Sequence, residues 1–238
     1  MIKVYKLKTL LKILILVMLI FSILIALILC NSSNKRESIE TSANSQSVYE
    51  ILVDVEDSKL FLFENSEHIK TYKCSGGKWS TPSPIGTWEI IEKAKWGEGF
   101  GGSWLGLNVP WGQFGIHGTL DRHSVGWASS HGCIRMQNEE VAELYNIVPT
   151  GTKVTIVDGV YGAFGKGFRD LKSGMYGSDV LEIQKRLKEL GFFNGTPNGK
   201  FGGETEKAVR KYCTANGLYS RKTIDVELQK HMGFELID

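Results

Sequence analysis

Ile13 to Cys30 is a run of eighteen apolar residues broken only by Ser22. As a helix it would span ~27 Å, close to the hydrocarbon thickness of a bilayer. No other stretch narrows the possibilities for this chain as far. Lys3, Lys6, Lys8 and Lys12 precede it, with no acid in the first twelve residues, which predicts a cytoplasmic N-terminal side. The run exceeds the ~7–15 residues of a cleavable signal core, and no small-x-small site follows. The reading is an uncleaved single-pass membrane anchor over residues 1–30, with everything after Cys30 outside. A lipoprotein signal ending at Cys30 is the alternative; bulky Leu29 stands where such a signal wants a small residue.

Removing those four lysines from the net charge of +2 leaves −2 for the rest of the chain. A near-neutral body lacks the clustered basic face of a nucleic-acid binder, so no nucleic-acid partner is expected. Residues 31–47, rich in Ser, Asn, Glu and Lys, cannot build a core and read as a flexible stalk. The 238 residues leave room for one to two domains. Cys30, Cys74, Cys133 and Cys213 follow neither a disulfide framework nor a zinc spacing.

From Val48 the period changes to that of strands. Val48–Val55, Lys59–Phe63 and Ile69–Tyr72 are β-branched and aromatic runs separated by short polar breaks, a β-meander. Further strands are predicted at Thr87–Ile91, Trp104–Leu107 and Lys153–Val157. A single helix, Glu139 to Ile147, follows a capping Asn138. Gly97-Glu98-Gly99-Phe100-Gly101-Gly102 matches G-x-G-x-x-G on paper, but no strand leads in and no helix follows. It reads as a glycine-hinged loop near the site, with Trp96, Phe100, Trp104, Trp111 and Trp127 around the motifs as core, loop anchors or substrate contacts.

The chemistry concentrates in Ser130-His131-Gly132-Cys133-Ile134-Arg135-Met136, with His117 sixteen positions before Cys133 in Ile116-His117-Gly118-Thr119. A cysteine and a histidine separated in sequence form the usual kit for a thiol nucleophile. A free thiol, pKa about 8.5, needs a base or a positive field to become a thiolate, and an imidazole can take its proton. Gly132 would leave its own N–H and that of Cys133 free to hold an oxyanion. Ser130 reads as a loop hydrogen-bonder. His131 either lines the site and shapes the oxyanion region or orients the loop. Arg135 either grips a substrate carboxylate or braces the loop by a salt bridge. A zinc site from His117, His131 and Cys133 fits no common spacing, and a metal would occupy the nucleophile. No metal or cofactor is expected, and His123, Cys74 and Cys213 are given no role.

These two segments, with Thr81-Pro82-Ser83-Pro84-Ile85-Gly86-Thr87-Trp88-Glu89-Ile90 upstream, resemble the signature of the YkuD-type L,D-transpeptidase catalytic domain. The resemblance covers roughly residues 48–158. It implies a mainly-β, sandwich-like fold, Cys133 as nucleophile and His117 as proton donor and acceptor, with the Gly118 carbonyl steadying the imidazole. It also implies peptidoglycan stem peptides as substrate: a thioester forms with release of D-Ala, and a neighbouring amine closes a 3→3 cross-link. An L,D-carboxypeptidase or endopeptidase on the same site, or an inactive wall-binding protein, remain as alternatives.

Residues 159–169 hold four glycines and read as a linker able to dock through Tyr161 or Phe164. Beyond it the period is helical. Ser178 is predicted to cap a helix burying Val180, Ile183, Leu187 and Leu190, stopped by Gly191. A second helix, Glu204 to Ala215, buries Ala208, Val209, Tyr212 and Cys213, and a third runs from Asp225 to Met232. Leu171-Lys172-Ser173-Gly174, Asp179-Val180, Gln184, Leu187, Leu190-Gly191, Asn198-Gly199, Phe201-Gly202, Thr205 and Ala208-Val209 resemble the small three-helix peptidoglycan-binding domain, here over residues 170–234. Tyr212-Cys213 stands where that family has Phe-Gln. The resemblance implies wall glycan or stem peptide as a second partner, held near Cys133 by a weak-binding module.

Overall fold

The computed structural model describes residues 47–236. The expected anchor, and the expected stalk up to residue 46, lie outside the described residues. Among the described residues no helix is long and apolar enough to cross a membrane.

Eight strands form one sheet. They are β1 (Tyr49–Asp54), β2 (Lys59–Glu64), β3 (Glu67–Lys73), β4 (Gly86–Ala94), β5 (Trp104–Leu107), β6 (Phe114–His117), β7 (Ile134–Arg135) and β8 (Lys153–Val157). Their order is β3-β2-β1-β8-β4-β5-β6-β7. The meander is present: β1–β2 and β2–β3 are antiparallel. Asn65 and Ser66, both at positive φ, make the two-residue turn whose twist suits a hairpin. Period-2 alternation buries Ile51, Val53, Leu60 and Leu62 on one face.

The sandwich expectation needs correcting. There is one continuous sheet, because β4 serves two neighbours. Its first half pairs with β8, over Gly86 to Glu89. Past a register shift between Ile90 and Glu92, its second half pairs with β5. Such a bulge bends a strand and raises its twist, so one sheet curls where two were expected. Helix α1 (Asn138–Ile147) closes the first core with Val141 and Leu144.

A second core is helical. It is built from α2 (Ser178–Glu189), α3 (Gly203–Ala215) and α4 (Val226–His231) around Leu171, Phe193, Phe201, Ile224 and Met232. Each predicted apolar face is buried, except that Leu190 is partly exposed. Gln184 ties the Asn198–Lys200 loop to α2: its oxygen accepts from the Asn198 and Gly199 N–H groups, and its amide donates to the Lys200 carbonyl.

The two cores touch. The Trp111 ring lies so close to Gly199 (φ +67°) that a Cβ there would sit 2.3 Å from Trp111 Cε3. Ser178 is not the cap predicted for it. Gly177 holds that position, and the Ser178 hydroxyl donates instead to the Ile85 carbonyl of the first core at 2.5 Å. The segment expected as a linker is packed. A 3-10 turn at Gly162–Phe164 is closed by backbone bonds, and Phe164 lies edge-on to Phe168 and Phe234.

Candidate active site

Strands β6 and β7 carry the site, and neither was foreseen. Phe-Gly-Ile-His is four residues with a glycine inside, and β7 is two residues long, so neither offers a period to read. They pair in parallel, Ile116 with Ile134 and His117 with Arg135. Strand β5 lies antiparallel on the other side, Trp104 opposite His117. Directly paired residues share a face, so Trp104, His117 and Arg135 project together. Leu105, Ile116 and Ile134 project oppositely into the core and are fully buried. Cys133 directly precedes β7, and continued alternation puts it on the His117 face, level with Gly115, whose backbone hydrogen-bonds it.

Two facing glycines, Gly106 on β5 and Gly115 on β6, make room for an indole. A Cβ on Gly115 would fall 2.6 Å from the Trp104 ring, and one on Gly106 would fall 2.8 Å from its Nε1. The ring therefore lies across the sheet beside His117, with centroids 5.8 Å apart. Trp96 stacks on Trp104 at 4.2 Å and 6°, and Phe100 meets the imidazole edge-on at 5.0 Å. The loop at 97–102 thus does border the site, as expected. The Gly118 N–H donates to the Phe100 carbonyl.

His117 is only 5% exposed. Its Nδ1 lies 2.5 Å from the Gly118 carbonyl oxygen. A carbonyl can only accept, so Nδ1 carries the proton and the neutral ring keeps its lone pair on Nε2. Burial pushes the His117 pKa down; the Gly118 bond opposes this, and the positive charge of Arg135 adds to it. Burial likewise pushes the Cys133 thiol up, against the downward pull of the Gly115 backbone bond and of Arg135. Both directions favour thiol and neutral imidazole over a preformed ion pair.

The remaining residues of the motif fall into separate roles. Ser130, 1% exposed, donates through its hydroxyl to the Cys133 carbonyl at 2.6 Å and accepts from the Gly132 N–H at 2.9 Å. That contradicts the expected oxyanion pair, because the Gly132 N–H is already spoken for. Of the two expected donors, the Cys133 N–H is the one not taken by Ser130. Gly132 is required for another reason. Its φ is +114°, and a Cβ would lie 2.6 Å from Phe114 Cε1 and 3.0 Å from the Pro82 carbonyl oxygen. His131 points its side chain into an exposed position. Arg135 is half-buried, and its Nε is buried without a hydrogen-bond partner among the described residues. Among the described residues no ion pair braces the loop through it.

Asn138 plays a part that its sequence position hides. The helix begins at Asn138 itself, after Gln137, with no side-chain cap. The Asn138 oxygen instead accepts from the Thr119 N–H at 2.8 Å. It also packs where a Cβ on Gly101 or Gly118 would be, at 2.1 and 2.4 Å. It thereby seats the turn whose Gly118 carbonyl holds His117. An Asn before a helix looks like a cap, and nothing in the sequence signals a bond reaching back nineteen residues.

Comparison with known proteins came to the same two regions. Residues 48–156 match the family profile of the L,D-transpeptidase catalytic domain, YkuD. Residues 176–219 match the "Putative peptidoglycan binding domain" profile. The chain is 44% identical over 109 residues to a Bacillus subtilis protein named "Putative L,D-transpeptidase YkuD", covering 45% of this chain and 65% of that one. A Bacillus licheniformis protein of the same name is 42% identical over the same shares. The chain therefore spans just under two thirds of the length of these two relatives. A second B. subtilis protein, "Putative L,D-transpeptidase YqjB", is 32% identical over 45% of this chain and 70% of its own length.

Proposed function

We infer the function from one premise: this chain belongs to the L,D-transpeptidase family, with a YkuD-type catalytic domain followed by a peptidoglycan-binding domain. The reading is a cysteine acyltransferase that joins peptidoglycan stem peptides. The observation that carries it is the parallel β6–β7 register, which aligns Cys133 with Gly115 on the face that bears His117.

In the first half-reaction His117 Nε2 takes the thiol proton as Cys133 Sγ attacks the carbonyl of the residue linked to D-Ala. The Cys133 N–H is the motif donor left to hold the oxyanion; one such donor is typically worth ~10²–10³ in rate. The C–N bond breaks, Nε2 returns the proton to the leaving amine, and D-Ala departs from a thioester. In the second half-reaction the side-chain amine of a neighbouring stem attacks the thioester and gives its proton to Nε2. The C–S bond breaks, the proton returns to sulfur, and a 3→3 cross-link is closed. Arg135, half-buried and with its buried Nε lacking a hydrogen-bond partner among the described residues, supports carboxylate binding over loop bracing. His131 and Ser130 shape the loop that carries the thiol.

The proposed domain order is an anchor over 1–30, a stalk over 31–47, a catalytic domain over 48–158, a linker over 159–169 and a wall-binding domain over 170–234. The apolar run and its flanking lysines support a membrane-anchored protein whose catalytic and wall-binding parts work outside the cytoplasm.

The test is product analysis. Purified protein incubated with a disaccharide-tetrapeptide should yield cross-linked dimers lacking one D-Ala, by mass spectrometry, and Cys133→Ser should yield none. Trimmed tripeptide monomers alone would instead make the enzyme a carboxypeptidase. Dimers from the serine variant at the wild-type rate would remove Cys133 from the chemistry.

A further inference from the structure

A cavity of about 540 Å³ opens where the two cores meet. Neither Cys133 nor His117 lines it. Its walls are the 77–85 segment, the 126–128 turn, the packed linker and the start of α2. Three aromatic residues on it stay open to solvent: Trp79 at 82%, Trp127 at 71% and Tyr176 at 50% exposed. Two come from the catalytic side and one from the helical side, so only the docked arrangement assembles them. Indole rings left this open gain nothing for folding, and they are costly to keep wet unless something covers them.

The walls carry three acids, Glu56, Asp158 and Asp179, and three cations, Lys78, Lys166 and Arg169, and all but Lys78 stand in ion pairs. Lys166 lies 3.6 Å from Glu56 and 3.7 Å from Asp158. Arg169 grips Asp179 through Nε at 2.6 Å and Nη2 at 3.1 Å. A charged ligand would have to break these pairs or meet Lys78 alone, on an exposed stretch of the rim. A neutral ligand with apolar ring faces and hydroxyl or amide edges would not: its faces lie on the indoles and its edges meet the polar rim.

The cavity also shares a wall with the catalytic loop. The Lys78 N–H and the Thr81 hydroxyl both donate to the Ser130 carbonyl, and the Pro82 carbonyl abuts Gly132. What occupies the cavity is therefore separated from the thiol loop by the thickness of one chain segment.

We propose that this interdomain cavity binds the neutral N-acetylated amino-sugar backbone of the wall, stacked on Trp79, Trp127 and Tyr176. The proposal rests on the transpeptidase reading for the source of the sugar. The site holds the glycan while its stem peptide crosses the 77–82 segment to Cys133.

Binding can be measured without turnover in the full chain carrying Cys133→Ala, so a failure of the chemistry leaves this test intact. The probe is N,N′,N″,N‴-tetraacetylchitotetraose, a sugar with no peptide, followed by calorimetry and tryptophan fluorescence. Saturable binding is expected, weakened several-fold to about tenfold by Trp79→Ala and by Trp127→Ala. Trp127→Tyr, which keeps a ring face, should recover most of the affinity. Both tryptophans are largely exposed, so the alanine variants should keep the wild-type unfolding temperature; a variant that does not is replaced by its tyrosine counterpart. The proposal is overturned if chitotetraose does not bind, if it binds both alanine variants as tightly as the parent, or if sugar-free tetrapeptide competes for the same tryptophans.

Discussion

Asn138→Ala separates a capping role from a positioning one. The side chain caps nothing; it accepts one bond, from the Thr119 N–H at 2.8 Å. Thr119 is buried, so the variant strands a buried donor, which costs roughly 1–3 kcal/mol. For a folded unit of this size each kcal/mol is worth about 2–4 °C of Tm. A cost near ~2 kcal/mol therefore predicts unfolding about 4–8 °C lower. The chemical consequence runs through Gly118. Its N–H is fixed by the Phe100 carbonyl, the next N–H is fixed by Asn138, and the carbonyl between them holds His117 Nδ1 at 2.5 Å. Loosening that turn lets the imidazole sample the other tautomer, with the proton on Nε2, where it cannot accept from the thiol. If ~1.4 kcal/mol of this penalty falls on the reacting geometry, transfer slows about tenfold. The assay pairs calorimetry with iodoacetamide labelling of the Cys133 peptide, followed by mass spectrometry from pH 5 to 9. Asn138→Asp is the control. It retains an acceptor at the start of a helix, where a carboxylate is favoured, and should keep the unfolding temperature. Its added negative charge should raise the His117 pKa and move the acid limb of the labelling profile upward. The reasoning is refuted if the alanine variant melts and labels like the parent, or if the aspartate variant is as damaged as the alanine one.

Four further outcomes follow from the structure. Gly132→Ala places a methyl 2.6 Å from Phe114 at φ +114°; a strain of about 1–3 kcal/mol should lower Tm by several degrees and abolish dimer formation, and a parental Tm would contradict it. His117 must be neutral to act as base and burial holds its pKa below the usual 6.5, so kcat/KM should keep more than half of its plateau at pH 6.5 and fall as pH drops through the lower value. Arg135→Gln removes a cation that holds both His117 and Cys133 down; the acid limb of kcat/KM should move up, and a downward move would show that Arg135 acts otherwise. Gly199→Val drives a side chain into Trp111 at a backbone angle, φ +67°, that valine rarely adopts. Limited proteolysis should then cut the 159–169 segment faster than in the parent, and equal rates would mean that the contact does not hold the two cores together.

Much of the fold was legible because the signals were local. Strands β1, β2 and β5 and helices α2 and α3 have strong periods, and each lies within a residue or two of its expected bounds. Cys133 and His117 stood out because their motif combines rare residue types at restrictive spacing. The strands that carry them did not. Strand β7 is two residues long, and β6 is given up to a glycine that admits Trp104; a pairing that short has no pattern of its own and is selected by its neighbours. The assignments of Asn138 and Ser178 as caps failed for a related reason. A hydroxyl or amide before a helix has a local use, and sequence alone cannot show that a more distant partner has claimed it.

The chain's residues alone determined which thiol and which imidazole are available, where strands give way to helices, and that a lysine-flanked apolar run comes first. Tertiary structure decided what those groups are free to do. Ser130 takes the Gly132 N–H from the expected oxyanion pair, Gly118 and Asn138 set the tautomer of His117, and the docking of the helical core through Trp111 and Ser178 assembles a cavity that neither part has by itself. The physical reason is that hydrophobic period and residue chemistry are properties of neighbours along the chain. Hydrogen-bond saturation and shared surfaces depend on which distant atoms arrive first within three ångströms of each other.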